Sequence, residues 1–194
     1  MSWAVKITIL TFSQRAINFY KSLLGKKNPK WIYKLNDVLL QKEIVLHHEK
    51  NHLYIAYTNN SKENIEIEVY PFSSFREIHQ LTFANPLDNL QLQQIDKGIA
   101  LQQYPTHDTI YVQWNTNNNF TALNYWHYNL EYTEEKNRGY NSNEDVYICG
   151  KFNLQIPPNE TIVLRIADEV LNADSIANDF TILLNTLKPI QNQE

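Results

Sequence analysis

The residues best suited to chemistry crowd into one stretch, Tyr125 to Asp145 (YWHYNLEYTEEKNRGYNSNED). It carries the carboxylates Glu131, Glu134, Glu135, Glu144 and Asp145, with Arg138 among them and the rings of Tyr125, Trp126 and Tyr128 just upstream. Two carboxylates flanking a glycosidic bond, roughly 5 to 10 Å apart, can hydrolyse it, and rings beside them can stack on sugar. The plainer reading makes Glu134-Glu135-Lys136 a solvated loop and lets Arg138 bond Glu144 or Asp145 to pin a long connection. Residue types alone favour the plainer reading, because spacing along a chain does not set a separation in space.

A second cluster, Phe75-Arg76-Glu77-Ile78-His79, follows Pro71 and interrupts an extended run. Arg76 and His79 either hold a loop through a buried Arg–acid pair or face a sugar, and the first is the plainer expectation. His47, His48 and His52 form a third cluster. In a strand, His47 and His48 point to opposite faces, while His48 and His52 flank a turn and can meet. No carboxylate accompanies them at a recognised ligand spacing, so no metal is expected. Cys149, between Ile148 and Gly150 in a strand pattern, reads as a small core residue rather than a thiolate. GxSxG, a Gly-rich phosphate loop and HExxH are all missing, so neither a nucleophilic triad nor a cofactor is expected.

The elements that would position these residues are mostly strands. Ile65, Ile67 and Val69 alternate with Glu66, Glu68 and Tyr70, as in a strand with one wet face. His52–Tyr57, Val38–His47 and Trp31–Leu35 read the same way, the first ended by Asn59-Asn60-Ser61. Asn36-Asp37 reads as a hairpin turn. Ile99–Tyr104, Thr109–Trp114, Phe120–Tyr128, Tyr147–Ile156 and Thr161–Ile166 also read as extended, with a loop at Pro157-Pro158-Asn159. Strands at regular spacing with short polar turns predict a mainly β chain, an antiparallel β-sandwich rather than a parallel α/β sheet. Only 4 glycines serve its turns, so Asn and Asp must supply many of them. Two helices are expected. Ser13–Leu24 has Gly25 as its stop. Ala173–Leu187 has Asp174 as its cap and an apolar face of Ile176, Ala177, Phe180, Leu183, Leu184 and Leu187.

The chain of 194 residues, 43% hydrophobic and 12% aromatic, suits one domain with a sizeable core and excludes wholesale disorder. No apolar run approaches the roughly 20 residues that span a bilayer, so no membrane partner is expected. A net charge of -4 argues against a broad basic face for nucleic acid. The N-terminus has one Lys and no small-residue cleavage site, so no signal peptide is expected and the cytoplasm is the expected location. A single cysteine rules out an internal disulfide framework.

Three ordered blocks resemble a known family. Trp126-His127-Tyr128-Asn129-Leu130-Glu131-Tyr132, then Glu134-Glu135, Arg138-Gly139 and Glu144-Asp145 are similar to the end of the N-terminal domain of microbial glycogen debranching enzymes, the amylo-alpha-1,6-glucosidase family. Pro29–Leu35 with Asp37–Lys42 resembles that family's Trp-x-Tyr strand, turn and following strand. Phe75–Thr82 with Asn85-Pro86 resembles its Tyr-Arg-Asp-x-His-x-Leu-Thr segment, with Glu77 in place of the usual Asp. The resemblance implies a large β-sandwich over residues 29–170, with a 1–28 extension of strand plus helix that does not align, and a C-terminal helix and tail over 171–194. It further implies a domain that is not catalytic by itself, lacks the (α/α) barrel that cuts α-1,6 branch points, and supports or docks to such a barrel. Its expected α-glucan contacts are Arg76, His79, Tyr125, Trp126, Tyr128, Arg138, Glu144 and Asp145, with glycogen or malto-oligosaccharide as ligand and a separate barrel subunit as partner. Two other readings stay open: a small glycoside hydrolase using the carboxylates of 131–145, and a degenerate domain that only dimerises.

Overall fold

A computed structural model describes residues 28–35, 37–77, 80–85 and 90–186. The expected helix Ser13–Leu24, the rest of 1–27, Asn36, His79 and Leu187 lie outside the described residues. Among those described, eleven strands build two antiparallel sheets.

The larger sheet has seven strands: β1 (Lys30–Leu35), β2 (Val38–Leu46), β3 (Leu53–Asn59), β6 (Gln91–Ile95), β7 (Gly98–Gln102), β8 (Ile110–Trp114) and β11 (Thr161–Ala167). Their spatial order is β1-β2-β3-β11-β8-β7-β6. The smaller sheet is built on β10 (Asn143–Ile156). β4 (Ile65–Val69) and β5 (Phe72–Ser73) follow one another along one side of it, and β9 (Asn119–Glu131) runs along the other. The period-two pattern sets the faces. Ile65, Ile67 and Val69 are buried between the sheets while Glu66 and Glu68 remain half-exposed.

The inter-sheet core joins Leu40, Ile55, Leu101, Val112, Leu154 and Leu164 around Trp114. The Trp114 indole sits 6.1 Å from the Tyr57 ring and 5.7 Å from Phe152, which meets Phe120 at 4.9 Å. Cys149 is buried here and unpaired, as its strand pattern implies, and burial pushes its thiol up to about 12.

Outside the larger sheet, a 3-10 turn (Ala173–Ser175) leads into a helix (Ile176–Thr186) whose Ile176, Phe180 and Leu183 cover Val45, Tyr54, Ala56 and Val163. Its cap is Asn172, whose side chain accepts from the Asp174 N–H at 2.9 Å, not Asp174 itself. Ala177, expected on the apolar face, is exposed. Beneath the helix, Arg165 is fully buried, donating to Gln113 at 2.8 Å with Asp179 at 3.8 Å. No helix among the described residues is long and apolar enough to cross a membrane.

Three elements depart from expectation. β6 and the short β5 are additional strands, and Thr133–Asn137, expected as loop, is a short helix, α1. β2 ends at Leu46, so the opposite-face rule for a strand does not reach His47 and His48. Their rings stack at 5.2 Å with 8° between planes. His47, not His48, meets the His52 ring, at 5.9 Å.

Candidate functional site

β10 opens with Asn143-Glu144-Asp145, and successive residues of a strand face opposite sides. Glu144 is fully buried, beneath the loop that follows β5. Four donors converge on its carboxylate. Arg76 gives Nε and, at 3.1 Å, Nη2; the Thr82 backbone gives an N–H at 3.0 Å; Tyr132 gives its hydroxyl. A buried carboxylate is tolerated only when paired and saturated with hydrogen bonds in this way. Burial opposes the Arg76 charge, but the bond to Glu144 and its negative charge outweigh that and raise Arg76 above its ordinary value. Burial first, then the bond to Glu144, pushes the Tyr132 hydroxyl up to about 12.

Asp145 is committed as well. Its carboxylate accepts the Ala84 N–H at 3.0 Å and the Asn129 N–H at 2.9 Å, and its own N–H donates to the Thr82 carbonyl at 2.8 Å. The two acids thus fasten Arg76, Thr82 and Ala84, in the loop after β5, onto β10 and β9. Asn129 has φ 57°, in the left-handed region that Asn tolerates. It lies in an irregularity of β9, where pairing passes from Leu130 opposite Glu144 to His127 opposite Val146.

The remaining expected contacts separate. Arg138 is exposed beyond α1 and bonds neither Glu144 nor Asp145; Arg76, 68 positions away from Glu144, takes the pinning role expected of it. Trp126 turns inward, half-buried, with its ring 5.3 Å from Tyr147. Tyr125 and Tyr128 stand on β9, 43% and 62% exposed. These three aromatics do not form one platform. Glu134 and Glu135 lie exposed on α1, and Glu131 accepts from Lys136 at 2.7 Å. Among the described residues, the carboxylates of 131–145 do not converge on a cleft. Glu144 and Asp145 hold their oxygens against donors of the chain itself.

The fastened loop walls a cleft of about 540 Å³ with the β7–β8 connection opposite. Phe83, 61% exposed, stands at its rim. Tyr104 accepts from Asn85 at 3.0 Å and places its ring 5.3 Å from His107, which meets the Phe75 ring edge-on at 6.0 Å. Gln80, Leu81, Thr82, the acid Glu77 and the partly exposed Arg76 complete the lining. The cleft therefore offers rings and neutral hydrogen-bonding groups beside one acid, Glu77, with the Arg76 guanidinium already paired. Phe83, Tyr104, His107 and Tyr132 were not among the expected contacts. Tyr132 stands inside the family-like Trp126–Tyr132 block, but nothing local marks it as the partner of an acid twelve residues on.

The histidine cluster is structural. His47 Nδ1 accepts the N–H groups of Glu49 and Lys50 at 3.1 and 3.2 Å, which closes the β2–β3 turn. His52 is buried with Nε2 3.0 Å from Glu169. Burial lowers both histidines below their ordinary values, against the raising effect of Glu169 on His52. Among the described residues, no three His, Cys, Asp or Glu side chains form a group that could hold a metal ion.

A family model described as "Glycogen debranching enzyme N terminal" matches residues 13–163. The match starts inside the 1–28 segment and takes in every strand from β1 to β10 and the first residues of β11. No curated protein matches the chain.

Proposed function

The chain belongs to the glycogen debranching enzyme N-terminal family, and from that premise we propose that it is a non-catalytic sandwich that contacts α-glucan and supports a catalytic barrel. The observation that carries the non-catalytic part is Glu144. A fully buried carboxylate held by Arg76, Tyr132 and a backbone N–H has no free lone pair aimed at a substrate, and general acid–base work needs one.

The contact with glucan is assigned to the cleft beside that anchor. A glucan is a neutral polyol with apolar C–H faces. Rings such as Phe83 and Tyr104 offer flat apolar area at small entropic cost, and Asn85, Gln80 and His107 offer donors and acceptors to hydroxyls. The barrel, on the same polypeptide or on a separate subunit, would supply the hydrolytic carboxylates. A cytoplasmic location goes with this reading and with a lone buried thiol.

The test is calorimetric titration of the chain with glycogen and with short malto-oligosaccharides, followed by an assay for released glucose. Binding without glucose is expected, weakened several-fold by Phe83→Ala or Tyr104→Ala and untouched by Glu134→Gln or Glu135→Gln. Glucose release by the chain alone overturns the non-catalytic reading. Absence of any binding overturns the glucan reading.

A further inference from the structure

The two sheets differ in width, and among the described residues the difference leaves part of the larger sheet uncovered. The inter-sheet core draws on β2, β3, β11, β8 and β7 of the larger sheet, but, among the described side chains, on none of β1. Strand β1 is therefore an overhanging edge. Its register with β2 places Trp31 opposite Lys42 and Tyr33 opposite Leu40. Leu40 belongs to the inter-sheet core, so Trp31 and Tyr33 share the inner face of the sheet. There they lie beyond the cover of the smaller sheet, 41% and 40% exposed. Lys42 lies 5.6 Å over the Trp31 ring centroid, which fixes the ring and leaves an amine beside it.

We infer that Trp31 and Tyr33 form a second glucan-stacking platform, distinct from the cleft at Phe83 and Tyr104, and that the domain grips polymeric α-glucan at both. This rests on the α-glucan reading above for its ligand. Two rings at i and i+2 on one strand face stand about 7 Å apart, so both can meet one chain of sugar rings. Lys42 adds donors to hydroxyls without needing an anion. In the strand order β1 is five positions from β7, beside whose end the cleft lies. That is about 24 Å at the usual strand spacing. A short oligosaccharide fills one site at a time, whereas a branched polymer reaches both, and two linked weak contacts raise the affinity for the polymer far above either alone.

The experiment compares binding of glycogen and of maltotriose by the full chain, by Trp31→Ala/Tyr33→Ala, and by Trp31→Tyr as a variant that keeps a ring. The double variant is expected to lose about tenfold or more of glycogen affinity. Its maltotriose binding at the cleft, the part weakened by Phe83→Ala, should remain, and Trp31→Tyr should stay close to the parent. If the parent binds glycogen and the double variant binds it equally well, the platform is overturned while the cleft reading stands. If the parent binds neither ligand, both fall together. If the double variant instead changes only self-association in sedimentation, the face is a contact between copies of the chain and the inference is overturned.

Discussion

At the scale of single residues, the buried Glu144 carboxylate takes two bonds from the Arg76 guanidinium. Its place in a Glu-Asp pair suggests chemistry, yet each oxygen is engaged with the chain itself. Replacing it by Gln keeps the shape but leaves the half-buried Arg76 guanidinium facing an amide. Breaking a buried pair from one side costs roughly 3 to 5 kcal/mol. Because the Arg76 side chain retains some exposure, a loss of about 2 to 3 kcal/mol is expected for Glu144→Gln. Arg138→Ala should stay within about 0.5 kcal/mol, as a surface change does. Urea unfolding of the two variants measures this. Equal effects would mean that Arg76 and Glu144 do not anchor the loop. The partner was illegible in sequence for a plain reason: a strand places its acid beside whatever loop the sheet brings over, and 68 residues separate the two.

At the scale of elements, β9 and β10 are the longest pair, and β9 carries the exposed Tyr125 and Tyr128. Gly150 holds them close. A Cβ added there would lie 2.3 Å from the Phe120 ring and 2.5 Å from the Thr121 carbonyl oxygen. The ring can rotate away but the backbone oxygen cannot, so Gly150→Ala must push β9 off β10. The expected loss is about 1 to 3 kcal/mol, as for other overpacked cores. Amide exchange should show faster opening along residues 119–123 than along β3. Unchanged exchange there would mean that β9 has room to spare. The same elements mark how far the sequence could be read. β4 was legible because its two faces differ in polarity at every step. β6, with the sequence QLQQI and mostly exposed residues, offers one apolar side chain to the core and so no alternation to detect. α1 has five residues and no side-chain cap, too short for a helical period to register. The β9 strand was legible, but which way each ring points was not, because its irregular pairing at Asn124 and Asn129 resets the face of the residues around it.

At the scale of the whole molecule, the chain carries a net charge of -4, and both proposed contact surfaces rely chiefly on rings, with Glu77 lining one and Lys42 beside the other. Arg76 is neutralised by Glu144, and Lys42 sits over an aromatic ring. A glucan has no charge to attract or repel. Association should therefore proceed without release of counterions, which is what makes binding to a polyanion fall steeply with salt. Between about 0.01 M and 1 M salt the screening length shrinks from roughly 30 Å to 3 Å, so any long-range electrostatic contribution would be removed within that range. Glycogen affinity measured across it is expected to change by less than about twofold. A loss of tenfold or more would show that charge governs the contact. The neutral-glucan assignment of both surfaces would then give way to a charged partner, with the exposed acids Glu134 and Glu135 of α1 the first residues to replace.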